Sequence, residues 1–114
     1  MTFSDYQRRS AATAIYPGAG DPGSVEGLVY AILGLSGEAG ELANKAKKIL
    51  RDDHGVIGDA ARAKLTDELS DCVWYLAAVA RQLGVNLDAV AESNLAKLAD
   101  RAERGVLQGS GDNR

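Results

Sequence analysis

Leu28, Ile32, Leu35, Leu42, Ala46 and Ile49 recur at intervals of three, four or seven residues. Leu65, Leu69, Cys72, Val73, Leu76, Val79, Ala80 and Leu83 repeat the pattern further along the chain. This is the period of an α-helix, and it gives each run a single apolar stripe. Only residues 51–59, polar and broken by Gly55 and Gly58, separate the two runs. Two long helices joined by so short a turn lie antiparallel, so the pattern predicts a helical hairpin with its apex near His54 and Gly55. The spacing predicts helices over residues 25–50 and 60–83, with Asp59 as N-cap of the second and Gly84 ending it.

The flanks read the same way. Ser4 is a candidate N-cap for a first helix over residues 4–15, followed by turn chemistry from Tyr16 to Gly23. Asn86 caps a fourth helix reaching Arg104, whose inward face is Leu87, Val90, Ala91, Leu95 and Leu98. Residues 105–114 form a glycine-rich polar tail, flexible or closing over a site. No strand pattern and no repeat at the scale of about 20–50 residues is present. The chain therefore reads as one all-α domain over residues 1–114, a bundle of about four helices.

Composition adds two constraints. Of 114 residues, 19 are alanine and only six are Trp, Tyr or Phe, so the apolar content packs closely but buries little area. Such a core is thin for a monomer, and an oligomer is expected. Net charge is −3, without the basic field of a nucleic-acid binder. The lone cysteine, Cys72, cannot form an internal disulfide, which fits a cytoplasmic setting. No signal peptide and no membrane-spanning run is visible.

The chemistry lies in two carboxylate pairs, Glu38 with Glu41 and Glu68 with Asp71. Residues three apart share a helix face. Glu41 precedes Leu50 by nine residues and Glu68 follows Asp59 by nine, so both sit roughly 13 Å from the turn. Glu38 then falls level with Asp71, and the four acids are expected to converge. Four adjacent carboxylates resist ionisation unless a cation joins them. Oxygen donors with phosphate substrates suit magnesium, and a pair of ions about 3.5–4 Å apart would serve phosphoryl chemistry. The alternative is two solvated acidic faces. Di-iron carboxylate bundles use Glu-x-x-His on two helices, and the single histidine, His54, lies in the turn.

Gly34, Gly37 and Gly40 interrupt the second helix, each at about 1 kcal/mol relative to alanine, which predicts a close approach to its backbone. Lys45 and Lys48 extend the acidic stripe of this helix, and Asn94, Lys97, Arg101 and Arg104 repeat its spacing on the fourth. If the fourth helix folds back, residues 97–104 pass the acids and grip polyphosphate. Asn94 sits near the apolar face, where a buried amide needs a partner such as a base or ribose. Tyr75, one turn after Asp71, is placed to donate to a phosphate. Trp74 is expected in the core or a subunit interface.

The segments Gly34-Leu35-Ser36-Gly37-Glu38-Ala39-Gly40-Glu41-Leu42 and Asp67-Glu68-Leu69-Ser70-Asp71-Cys72-Val73-Trp74-Tyr75-Leu76 resemble the two-part ExxE and ExxD signature of MazG-like nucleotide pyrophosphohydrolases, members of the all-alpha superfamily. The end of the chain, from Lys97 through Arg104 to Arg114, also resembles short members of that group. The resemblance implies magnesium-dependent hydrolysis of a nucleoside triphosphate to monophosphate and pyrophosphate, with Mn²⁺ as a possible substitute and nucleotide-pool cleansing as the role. It implies Glu38, Glu41, Glu68 and Asp71 as metal ligands, with Glu38 and Glu41 catalytic and Glu41 activating water. Tyr75, Asn94, Lys97 and Lys48 would contact substrate, and Arg101, Arg104 and the tail would close over it. It further implies a homodimer or homotetramer. A phosphoribosyl-ATP-type pyrophosphohydrolase and a non-catalytic helical interaction module are the alternatives.

Overall fold

The computed structural model describes residues 1–114, and every regular element in it is helical. The order is α1 (Phe3–Ser10), a 3-10 turn (Ala11–Thr13), α2 (Val25–Asp52), α3 (Asp59–Gln82) and α4 (Leu87–Glu103). α2 and α3 pack side by side as the expected antiparallel hairpin, and α1 lies against α3. No helix is long and apolar enough to cross a membrane.

The starts of the helices differ from expectation in two places. Thr2, not Ser4, caps α1: its hydroxyl accepts the Asp5 N–H at 3.0 Å while the Asp5 carboxylate accepts the Thr2 N–H at 3.2 Å. This reciprocal pair satisfies two otherwise unpartnered donors and frees Ser4 for a distant contact. α3 begins at Asp59, with Gly58 at the cap and no side-chain cap bond, so Asp59 acts instead as an acid in the first turn. The hairpin apex leaves α2 through left-handed His54 (φ 52°) and Gly55 (φ 77°), whose N–H donates to the Ile49 carbonyl at 3.0 Å.

Small side chains make the seam. Ala31, Ala77 and Ala78 have no exposed surface, and Tyr16 packs on Ala31 and Ala78. The loop before α2 folds around the buried amide of Gln82. Its Oε1 accepts Tyr16 O–H at 3.1 Å and Gly20 N–H at 2.7 Å, and its Nε2 donates to the Asp21 carbonyl at 2.9 Å. All of this fits only because position 27 is glycine: a Cβ there would lie 2.6 Å from Gln82 Nε2.

α4 does not fold back along α2 and α3. It packs chiefly on α1. The cause is a polar clasp: the Asp88 carboxylate accepts the Phe3 and Ser4 N–H groups at 3.1 and 3.2 Å, capping α1, while Gln7 donates to the Val85 carbonyl at 2.8 Å and accepts the Leu87 N–H at 2.8 Å. Val90, Leu95 and Leu98, expected to face inward, are 45%, 67% and 40% exposed.

The result is an open shape. The radius of gyration is 17.0 Å, against about 13 Å for a compact chain of this size. The accessible surface is 7747 Å², roughly 1,800 Å² more than a compact monomer of this mass presents.

Candidate active site

The hairpin brings Glu38, Glu68 and Asp71 together: one carboxylate oxygen from each lies within 4.8 Å of the others. Glu41 stands outside this group and is exposed. Three residues advance a helix by about 300°, so Glu41 points about 60° away from Glu38; the pair on α3 has the same offset, but there both Glu68 and Asp71 reach Glu38. Lys45, seven residues on from Glu38, comes back to within about 20° of its direction. It faces α3 and forms an ion pair with Glu68.

Charge crowding is visible at Glu38. Its half-buried carboxyl is held above the ordinary range, first by desolvation and then by the charges of Asp71 and Glu68. A group that resists ionisation in this way is relieved by a bound cation. The donors are three carboxylate oxygens with no histidine or thiol among them, the hard set that magnesium prefers. Oxygens opposite each other around a magnesium ion are about 4.2 Å apart, so the observed spread closes with small side-chain rotations. The residues fit such an ion.

Tyr75 connects the acids to an aromatic wall. Its ring presses on Gly34, where an added Cβ would lie 2.0 Å from a ring carbon. Of Gly34, Gly37 and Gly40, this is the one that is closely approached; Gly37 and Gly40 face open space. Trp74 meets Tyr75 edge-on at 4.9 Å, and Tyr16 stacks on Tyr30 at 4.7 Å. Burial first, and then neighbouring Tyr30, Glu38 and Asp71, push the Tyr75 phenol up, so it keeps its proton and can donate. A pocket of about 330 Å³ is lined by Thr13, Glu38, Asp71, Trp74 and Tyr75, within the usual size of a ligand site.

Apart from Lys45, the cations that the sequence pattern offers for substrate lie elsewhere within the chain. Lys48 is exposed, near enough to Asp52 to favour its ionised form. Asn94 is exposed rather than buried, and with Lys97 it lines a shallow cleft on α4 made with Val85, Ala89 and Val90. Arg101 is buried and donates to the Asp112 carbonyl at 2.7 Å, while Arg104 pairs with Asp100 and donates to the Arg114 carbonyl at 3.0 Å. These two arginines fasten the tail to the end of α4, and no bond joins it to the acids. The expected passage of residues 97–104 alongside Asp71 and Glu68 does not occur, because the Asp88–α1 clasp carries α4 away from the hairpin. Thr13 and Trp74 were not singled out as pocket residues by sequence reasoning. The indole N–H bonded to Thr13 Oγ1 at 2.8 Å bridges 61 positions and has no local pattern.

Convergent carboxylates on two antiparallel helices beside an aromatic pocket define an all-helical protein with an acidic centre. A family model described as MazG nucleotide pyrophosphohydrolase domain matches residues 29–106, which includes both acid pairs. The chain belongs to this family. It is also 59% identical, over the whole length of both chains, to a protein named gene 37 protein from Mycobacterium phage L5. No solved structure matches.

Proposed function

We propose that the protein hydrolyses a nucleoside triphosphate, NTP or dNTP, to the nucleoside monophosphate and pyrophosphate, serving nucleotide-pool cleansing. One observation carries this reading beyond family membership: Glu38 and Asp71 belong both to the acid group and to the pocket that Tyr75 and Trp74 wall. Phosphates at the acids thus place the rest of a nucleotide against aromatic rings.

Glu38, Glu68 and Asp71 would hold Mg²⁺, with Mn²⁺ as a substitute. Bound there, the cation supplies neutralising charge to the phosphates and polarises the scissile bond. Glu41, open to water and apart from the three, orients the attacking water and takes its proton. The Tyr75 hydroxyl donates to a phosphate oxygen. The protein acts as a homodimer or homotetramer. The surplus surface of roughly 1,800 Å² supports this, since a standard interface takes about 800 Å² from each partner. In such an assembly, exposed Lys48, Asn94 and Lys97 are free to reach a neighbouring subunit's substrate, while Arg101 and Arg104 hold the tail.

The test is pyrophosphate release from a panel of NTPs and dNTPs, with magnesium and with chelator. Magnesium-dependent release that Glu38→Gln abolishes supports the reading; an ordered protein that releases pyrophosphate from none of them overturns it.

A further inference from the structure

The pocket has two chemically different ends. Glu38 and Asp71 form one, and Thr13 and Trp74 form the other. A polyphosphate gains nothing from an indole, so a nucleotide with its phosphates at the acids brings its base to Thr13 and Trp74.

The hydrogen-bonding capacity at that end can be counted. A threonine hydroxyl has one proton to give and two lone pairs. The Thr13 hydroxyl bonds the Ser10 carbonyl at 3.0 Å. A carbonyl only accepts, so the proton is committed there. Trp74 Nε1–H lies 2.8 Å from Thr13 Oγ1. An indole N–H only donates, so it occupies one lone pair and is itself committed. What remains is a single lone pair on Thr13 Oγ1. The Tyr75 hydroxyl lies toward the acids, in the field of Glu38 and Asp71. Between them, the Thr13 and Trp74 side chains can accept a hydrogen bond and have no donor left to offer.

We propose that Thr13 makes the site selective for a nucleobase carrying an exocyclic amino group over the corresponding keto base, an assignment that rests on the pyrophosphohydrolase reading above. An amino N–H meets the free lone pair of Thr13 Oγ1. A carbonyl at the same place meets another acceptor, and loses its water without replacement. Turning the hydroxyl proton to serve a carbonyl would cost the Thr13 bond to Ser10.

Two matched pairs exchange the amino group for a carbonyl, with the adjoining ring nitrogen gaining a proton: dATP against dITP, and dCTP against dUTP. The experiment is kcat/KM for pyrophosphate release from all four, with the magnesium-loaded full-length protein. Wild type is expected to favour the amino member by about five- to tenfold in at least the pair whose base fits the pocket. Thr13→Val keeps the shape but has no acceptor, and its amino-to-keto ratio is expected to fall to about one. Thr13→Ser restores the hydroxyl and should restore the preference. Because each ratio is taken within one variant, a general loss of activity cancels. Release from both members without an amino preference in wild type, or a preference that survives in Thr13→Val, overturns the assignment and leaves the hydrolase reading intact. No release from any of the four overturns the assignment, and the hydrolase reading falls with it when the full panel of NTPs and dNTPs also yields no pyrophosphate.

Discussion

The α2–α3 hairpin and α4 carry similar motifs at the level of sequence, a stripe of charged residues at helical spacing beside an apolar face, yet they come to different ends. In the hairpin, alanines close the seam, the acids converge and an aromatic pocket opens beside them. α4 leaves that packing, exposes Leu95 and Leu98, and spends its two last arginines on its own tail. The difference lies in what fixes each helix. A short turn and matched register fix the hairpin locally. α4 is fixed by Asp88, which caps a helix more than eighty positions away in sequence. A charged stripe becomes a site only when something brings a second stripe to it.

The comparison breaks most visibly if the acids are not the reaction centre. Asp71→Asn is expected to lower kcat for pyrophosphate release by up to about 10³-fold, by analogy with removal of a principal electrostatic group; steady-state assays with saturating magnesium check this. Glu41→Gln is expected to lose about 10²-fold in kcat, as for a general base, while retaining the thermal stabilisation by magnesium that Asp71→Asn loses. If Glu41→Gln also loses that stabilisation, Glu41 is a metal ligand and the group is four acids, not three.

How much of this was legible in the sequence follows the same division. Counting nine residues from each side of the turn puts Glu41 level with Glu68, and three more put Glu38 level with Asp71, because an α-helix has a fixed rise and the turn is plainly marked. The count ignores which residue of each pair faces the other helix: Glu41 is exposed, and Lys45 pairs with Glu68 in its place. Gly34, Gly37 and Gly40 signal close approach, but the sequence does not single out Gly34, nor add Gly27, since the approaching Tyr75 and Gln82 come from another helix. Nothing local announced that Ser4 and Gln7 would hold α4, and its apolar spacing read as an inward face.

Stability measurements sharpen the contrast. Gly34→Ala drives a Cβ into the Tyr75 ring and is expected to destabilise by about 1–3 kcal/mol. Gly37→Ala meets open space, and should stabilise by up to about 1 kcal/mol through helix propensity alone. Urea unfolding of the two variants compares them directly, and equal effects would mean that Tyr75 does not pack as described. For α4, Asp88→Ala removes the cap on α1 and is expected to lose about 1 kcal/mol, with increased amide exchange at Phe3 and Ser4.

The smallest effect concerns pH. Glu38 binds its proton more tightly folded than unfolded, so in chelator its contribution lowers stability as pH rises from its ordinary value of 4.5 through the raised one. Glu38→Gln should therefore raise the metal-free Tm at neutral pH by roughly 2 °C, and calorimetry in chelator would show a fall instead if the carboxylate were a net stabiliser.

The most direct measurement is Mn²⁺ titration followed by electron paramagnetic resonance, on wild type, Asp71→Asn and Lys97→Ala. Saturable binding that Asp71→Asn abolishes and Lys97→Ala leaves unchanged is what the hairpin site predicts. Equal binding by wild type and Asp71→Asn would contradict it, and would reduce the three acids to surface charge.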